Sequence, residues 1–110
     1  MAASPLPGRK VRGSTTGRPL MAALDLLGRR WALRLLWELR GGPLGARALR
    51  ARCDRMSSSV LYERLRELLD AELIHQTDER DYELTPIGRA LGEAIEPLDK
   101  WAERWAGMRT

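Results

Sequence analysis

The 110 residues predict a mainly α fold carrying one small β-hairpin. Three observations predict it. Apolar residues recur at helical spacing in five separate stretches. A short segment on either side of residues 78–81 reads as two strands joined by a turn. The apolar content of 44% suffices for one modest core in a chain of this length, which leaves room for a single domain.

Taken in order, residues 1–18 hold Pro5, Pro7, Gly8, Gly13 and Gly17 with no apolar periodicity, and read as a mobile basic tail. Pro19 suits the first turn of a helix through Leu20, Leu24 and Leu27, stopped by Gly28. A second helix, residues 31–39, is apolar almost all round and is expected to be the most enclosed, with Trp31 and Trp37 in the core. Gly41, Gly42 and Pro43 end it. A short third helix covers about 46–53, and Ser57 is a good N-cap for a fourth, 58–71. Residues 73–77 and 82–85 are the two strands. Thr85-Pro86 then starts a last helix, with Ile87, Leu91, Leu98, Trp101 and Trp105 on one stripe, and Pro97 predicts a kink or break within it.

Charge is distributed unevenly. Residues 1–18 carry four bases and no acid, and the remainder is neutral overall. Within that remainder, residues 29–66 carry ten Arg against Glu38, Asp54 and Glu63, whereas residues 67–110 carry five bases against eleven acids. Such a molecule presents one face to a polyanion and another that avoids it. The apolar content excludes a disordered chain, and the single Cys53 excludes a disulfide scaffold. Neither an export signal nor a membrane-spanning run is present, so a cytoplasmic location is expected. There is no glycine-rich phosphate loop, and the lone His75 has no Cys partner, so neither an enzyme, a cofactor nor a metal site is expected.

Helix–helix–helix–turn–helix–hairpin–helix is the order of a winged helix-turn-helix, with 58–71 as the helix expected in a major groove. Its leucine stripe faces the core, and Ser59, Tyr62, Glu63, Arg66 and Asp70 face away. Arg64 projects to the apolar side and is expected to pair with a carboxylate inside the domain. The DNA-binding candidates are Ser58, Ser59, Tyr62, Glu63 and Arg66, which face base edges, with Arg47, Arg50, Arg52 and Arg55 placed for phosphates. A purely solvated surface is the alternative for each of these arginines. Glu63, a carboxylate near phosphates, is tolerable there if it accepts from a cytosine amino group.

The stretch Pro19-Leu20-Met21 to Gly28-Arg29-Arg30-Trp31 resembles the opening of the HxlR family of bacterial winged-helix regulators. Ser57-x-x-Val60-Leu61-x-x-Arg64-Leu65-Arg66-Glu67-Leu68 and Tyr82-Glu83-Leu84-Thr85-Pro86-Ile87-Gly88 resemble it too, so the likeness runs from about 18 to 106. The resemblance implies a homodimer built from the first and last helices. It also implies double-stranded DNA as partner, with a wing along the backbone or minor groove and repression as the commoner role.

The sequence departs from that family in several places. Arg18 stands where thiol-sensing members have a cysteine, which excludes redox sensing there. Cys53 falls at a core Leu position and reads as a small buried hydrophobe. The wing is shorter than usual and its tip, Asp78-Glu79-Arg80-Asp81, is acidic, which opposes phosphate contact. Ala46 replaces a bulky Phe, leaving Trp31, Trp37 or a cavity in that space. Glu72 takes the place of a helix-ending Gly, which suggests a strained exit.

Leu20, Leu24, Leu98, Trp101 and Trp105 are the expected dimer interface, with a pocket for a small planar aromatic effector between the tryptophans as the alternative. The reading that follows is a sequence-specific, homodimeric DNA-binding transcriptional regulator. Its rival is a winged-helix protein-interaction module that meets its partner through the acidic half.

Overall fold

A computed structural model describes residues 4–109. Helix α1 spans Pro19–Leu27, with the proline in its first turn and Gly28 at its C-cap, and buries Ala22 and Leu26. Helix α2 spans Ala32–Glu38 and runs into a 3-10 turn, Leu39–Gly41. Helix α3 covers Ala46–Arg52 and α4 covers Ser58–Asp70. Strands β1, Ile74–Gln76, and β2, Tyr82–Leu84, pair antiparallel with Ile74 opposite Leu84 and Gln76 opposite Tyr82. Leu44 adds a single-residue third strand by exchanging two backbone hydrogen bonds with Tyr82. Helix α5, Pro86–Met108, completes the winged helix-turn-helix.

The core lies where α2, α3 and α4 converge on the inner face of the hairpin, around Leu35, Leu39, Leu49, Leu61, Leu65 and Leu68. Cys53 is fully buried among them, and burial pushes its thiol up, so it stays protonated and inert at neutral pH. Trp31 packs against this cluster, as does Ala46. Trp37 does not. It is half-buried, with Leu33, on the side of α2 that faces α5, and the Arg40 guanidinium lies 3.2 Å from its ring centroid. A polar cover of this kind lets a large ring stay outside the core.

Three expectations need correction. Trp31 is not the first residue of α2: it is the N-cap, in the left-handed region at φ 76°. Pro97 does not break α5, which is helical throughout. A proline deletes one backbone donor, and Pro97 and Glu93 both lie on the exposed side, where water can serve the carbonyl left without it. The segment read as a mobile tail is folded back over residues 4–18. Gly8 N donates to Gly17 O at 2.9 Å, Val11 and Ser14 form a bridge, and Ser4 Oγ donates to Asp70 Oδ2 at 3.0 Å. Val11 and Pro5 are buried, so the apolar residues scattered through the segment pull it onto the domain.

Two acids anchor the helices, each by taking two arginines. Glu67, on α4, is 2% exposed. Its Oε1 accepts from Arg64 Nη1 at 2.6 Å, and its Oε2 accepts from Arg29 Nη1 in the α1–α2 connection. Arg64 Nε also donates to Arg30 O at 2.8 Å, so the connection is fastened to α4 at two points, and Arg64 is locked to Glu67 within the helix. Arg64 thus does what its projection predicts. Glu38, on α2, takes Arg34 at 2.9 Å and Arg52 at 3.8 Å, and Arg34 Nη2 donates to Arg52 O, tying α2 to the end of α3. The Glu38 hydrogen bond holds the Arg34 guanidinium above its ordinary value.

The exit of α4 is a full Schellman motif, with Leu73 N on Leu68 O and Glu72 N on Leu69 O. It places Glu72 at φ 60°, where a glycine would sit without strain. Thr85 Oγ1 donates to Glu72 O at 2.7 Å and accepts from Gly88 N at 3.1 Å, so the hydroxyl joins the α4 exit to the α5 entry. Gly88 is where α5 crosses the Leu73 carbonyl, and a methyl group there would collide with that oxygen.

Chemical denaturation checks these assignments. Glu72→Gly should raise stability by about 1 kcal/mol, by removing the left-handed strain. Gly88→Ala should lower it by about 1–3 kcal/mol. Glu67→Ala should cost about 3 kcal/mol or more, because it leaves two partly buried guanidinium groups uncompensated.

Candidate nucleic-acid interface

Helix α4 begins at Ser57, whose side chain accepts from Val60 N at 3.2 Å. This cap directs the first turn outward. Ser58, Ser59, Tyr62 and Glu63 are all exposed on one face, opposite the buried Leu61, Leu65 and Leu68. Arg66 lies further along that outer face and pairs with Asp70 at 3.3 Å, both side chains being substantially exposed. The structure brings the five predicted α4 residues onto a single accessible surface.

The arginines divide sharply once their partners are known. Arg29 and Arg64 are held by Glu67, and Arg34 and Arg52 by Glu38. Arg30 and Arg40 lie over Trp31 and Trp37. Arg50 Nε donates to Met56 O at 2.7 Å and so pins the α3–α4 turn. In that turn Asp54 and Arg55 both take left-handed backbone, at φ 52° and 55°. The side chains of Arg47 and Arg55 are exposed and make no ion pair, hydrogen bond or ring contact among the described residues. Arg47 stands in the first turn of α3 and Arg55 in the turn that leads into α4. An unpartnered guanidinium beside an exposed helix face meets a phosphate without first breaking another bond.

Sequence reasoning missed the residues that set this geometry. Glu67 and Arg29 orient α4 although neither faces outward, and Asp70 neutralises Arg66. The available signal was the placement of Glu67 three residues after Arg64, on the buried side of the helix.

The wing is short and acidic at its tip. Thr77 and Asp81 close it, with Thr77 N on Asp81 O at 2.7 Å and Asp81 N on Thr77 Oγ1 at 3.1 Å. His75 pairs across the strands with Glu83 at 2.9 Å. Among the described residues no cluster of His, Cys, Asp or Glu is arranged to hold a metal ion. No described helix is long and apolar enough to cross a membrane.

A second surface is apolar. Leu20 and Leu24 on α1, and Leu98, Trp101 and Trp105 on α5, are all exposed, the two tryptophans at 52% and 51%. Their rings stack with centroids 5.5 Å apart and planes inclined by 16°. Stacked against each other, they leave no slot between them for a planar molecule.

Comparison with known proteins agrees with this architecture. The HxlR-like helix-turn-helix family model matches residues 26–110. YvaP, an uncharacterised HTH-type transcriptional regulator of Bacillus subtilis strain 168, is 33% identical over 89 residues, covering 76% of this chain and 82% of YvaP. The HTH-type transcriptional regulator YodB of the same strain is 27% identical over 99 residues, covering 84% of this chain and 88% of YodB. The crystal structure of quinone-bound YodB superposes with a TM-score of 0.71 at 31% identity, covering 78% of this chain and 97% of that one. The chain belongs to the HxlR-like helix-turn-helix family, as a transcriptional regulator with a DNA-binding helix-turn-helix.

Proposed function

We propose that the protein is a homodimeric regulator, most simply a repressor, that binds a pseudo-palindromic operator in the cytoplasm. The observation that carries this reading is the α4 surface with its exposed hydrogen-bonding side chains, together with the exposed, unpartnered Arg47 of α3 and Arg55 of the α3–α4 turn. Ser58, Ser59, Tyr62 and Arg66 read base edges in the major groove, and Glu63 accepts from a cytosine amino group. Arg47 and Arg55 neutralise phosphates, with the terminal nitrogens of Arg50 as a weaker third contact. Arg66 exchanges Asp70 for DNA on docking.

The acidic wing tip stays off the backbone. The exposed stripe of Leu20, Leu24, Leu98, Trp101 and Trp105 buries itself against a second copy. Two α4 helices then meet the duplex about one helical turn apart. The quinone-bound relative supports response to a small molecule.

Fluorescence anisotropy on duplexes from the DNA flanking the gene tests the reading. Binding should weaken steeply with salt, and Arg47→Ala and Arg55→Ala should each reduce the log–log slope by about 0.9. Arg66→Ala should lower affinity by about tenfold or more with the fold intact. Light scattering should give two chains per particle, and Trp101→Asp one. Absence of binding even at low salt would overturn the proposal in favour of a protein-interaction module, for which the acidic wing and C-terminal half are the observation in favour.

A further inference from the structure

Beneath the folded-back N-terminal segment lies a cavity of about 440 Å³. Pro5, Leu6 and Pro7 roof it, α1 and the α4 exit form its walls, and the start of α5 closes the far side. Every lining residue is Pro, Leu, Ala or Ile, so no side chain in it can pair with a charge or orient a polar group. The roof lies outside residues 26–110, the span that the family model matches. It is anchored at one end by Ser4 Oγ on Asp70 Oδ2, the same oxygen that receives Arg66 of the recognition helix.

We infer that this cavity is a binding site for an uncharged, largely hydrocarbon small molecule, and that its roof reports occupancy to α4 through Asp70. The lining sets the ligand class. A carboxylate, phosphate or ammonium compound would be desolvated with no partner, whereas a neutral apolar one buries its surface at no polar cost. The volume suits a small effector rather than a peptide. The roof gives the mechanism. Residues 4–7 cannot rise to admit or accommodate a ligand without disturbing the Ser4–Asp70 bond, and Asp70 is what holds Arg66 when no DNA is present. The site is separate from the Trp101–Trp105 stack. It deepens the regulator reading, on which only its consequence for DNA depends.

The test uses the full chain and N-phenyl-1-naphthylamine, a neutral apolar fluorophore that brightens on leaving water. Saturable binding of one probe per chain is expected. Leu6→Asp places a charge in the roof and should weaken it by about tenfold or more, as should Ala23→Phe, which fills the cavity. Trp101→Ala should leave it unchanged. Amide chemical-shift mapping without DNA should locate the probe at Leu6, Ala22 and Leu73 and move Ser4, Arg66 and Asp70 as well. Absence of saturable binding, or binding unaltered in both cavity variants, overturns the site. Shifts confined to α5 beyond Leu98 overturn it in favour of the tryptophans, and shifts that leave Ser4 and Asp70 unmoved overturn the latch. If Leu6→Asp alters the particle mass, the groove is the seat of a second copy and the proposal fails. Probe binding in a chain that ignores DNA supports the cavity and defeats the regulator reading, and the converse result defeats the cavity alone.

Discussion

The buried carboxylate of Glu67 is the constraint from which the rest of the reading surface follows. An ionised carboxylate inside a domain is tolerated only when its oxygens are met by donors, and here each oxygen is met by a different arginine. Those arginines come from different elements, Arg64 from the same helix and Arg29 from the α1–α2 connection. Rolling α4 about its axis would strip Glu67 of one of them. The clamp therefore contributes orientation more than net stability, since an apolar substitute for a buried ion pair often costs nothing. With the helix orientation set, Ser58, Ser59, Tyr62 and Glu63 are exposed because the opposite stripe of leucines is already committed to the core.

The same pairing logic reshapes the electrostatics. The basic segment from 29 to 66 suggests a broad cationic face, yet most of its arginines already have partners within the chain, in Glu67, Glu38, tryptophan rings and the α3–α4 turn. What remains free is a pair, Arg47 at the start of α3 and Arg55 in the α3–α4 turn. A narrow pair is better suited to fixing register on a duplex than a diffuse patch, because each contact has one place to go. On the proposed reading, the acidic wing and C-terminal half would keep DNA away from the opposite face.

Much of this fold was legible in the sequence because its signals are local. Ser57 and Thr85 cap α4 and α5 with their own side chains, Pro19 and Pro86 open helices, and residues 78–81 turn the hairpin. The strained α4 exit was legible too, since a Glu in a glycine position has to adopt φ near 60°. What could not be read is long-range. Arg29 meets Glu67 across 38 residues, and Ser4 meets Asp70 across 66. No periodicity announces such pairs. Pro97 misled because a proline signals a lost hydrogen bond, whereas a helix of 23 residues with that position facing outward absorbs the loss. Trp37 misled because its size argues for the core, while Arg40, three residues on, supplies a cover at the surface.

The most direct test of the account is a dimethyl sulfate footprint on an operator duplex, which reads guanine N7 atoms in the major groove. Two α4 helices held outward by their Glu67 clamps should protect two clusters of guanines centred about 10 base pairs apart on one face of the duplex. Unprotected guanines at a site the protein demonstrably occupies would contradict it, because the molecule would then be reading DNA through some surface other than α4.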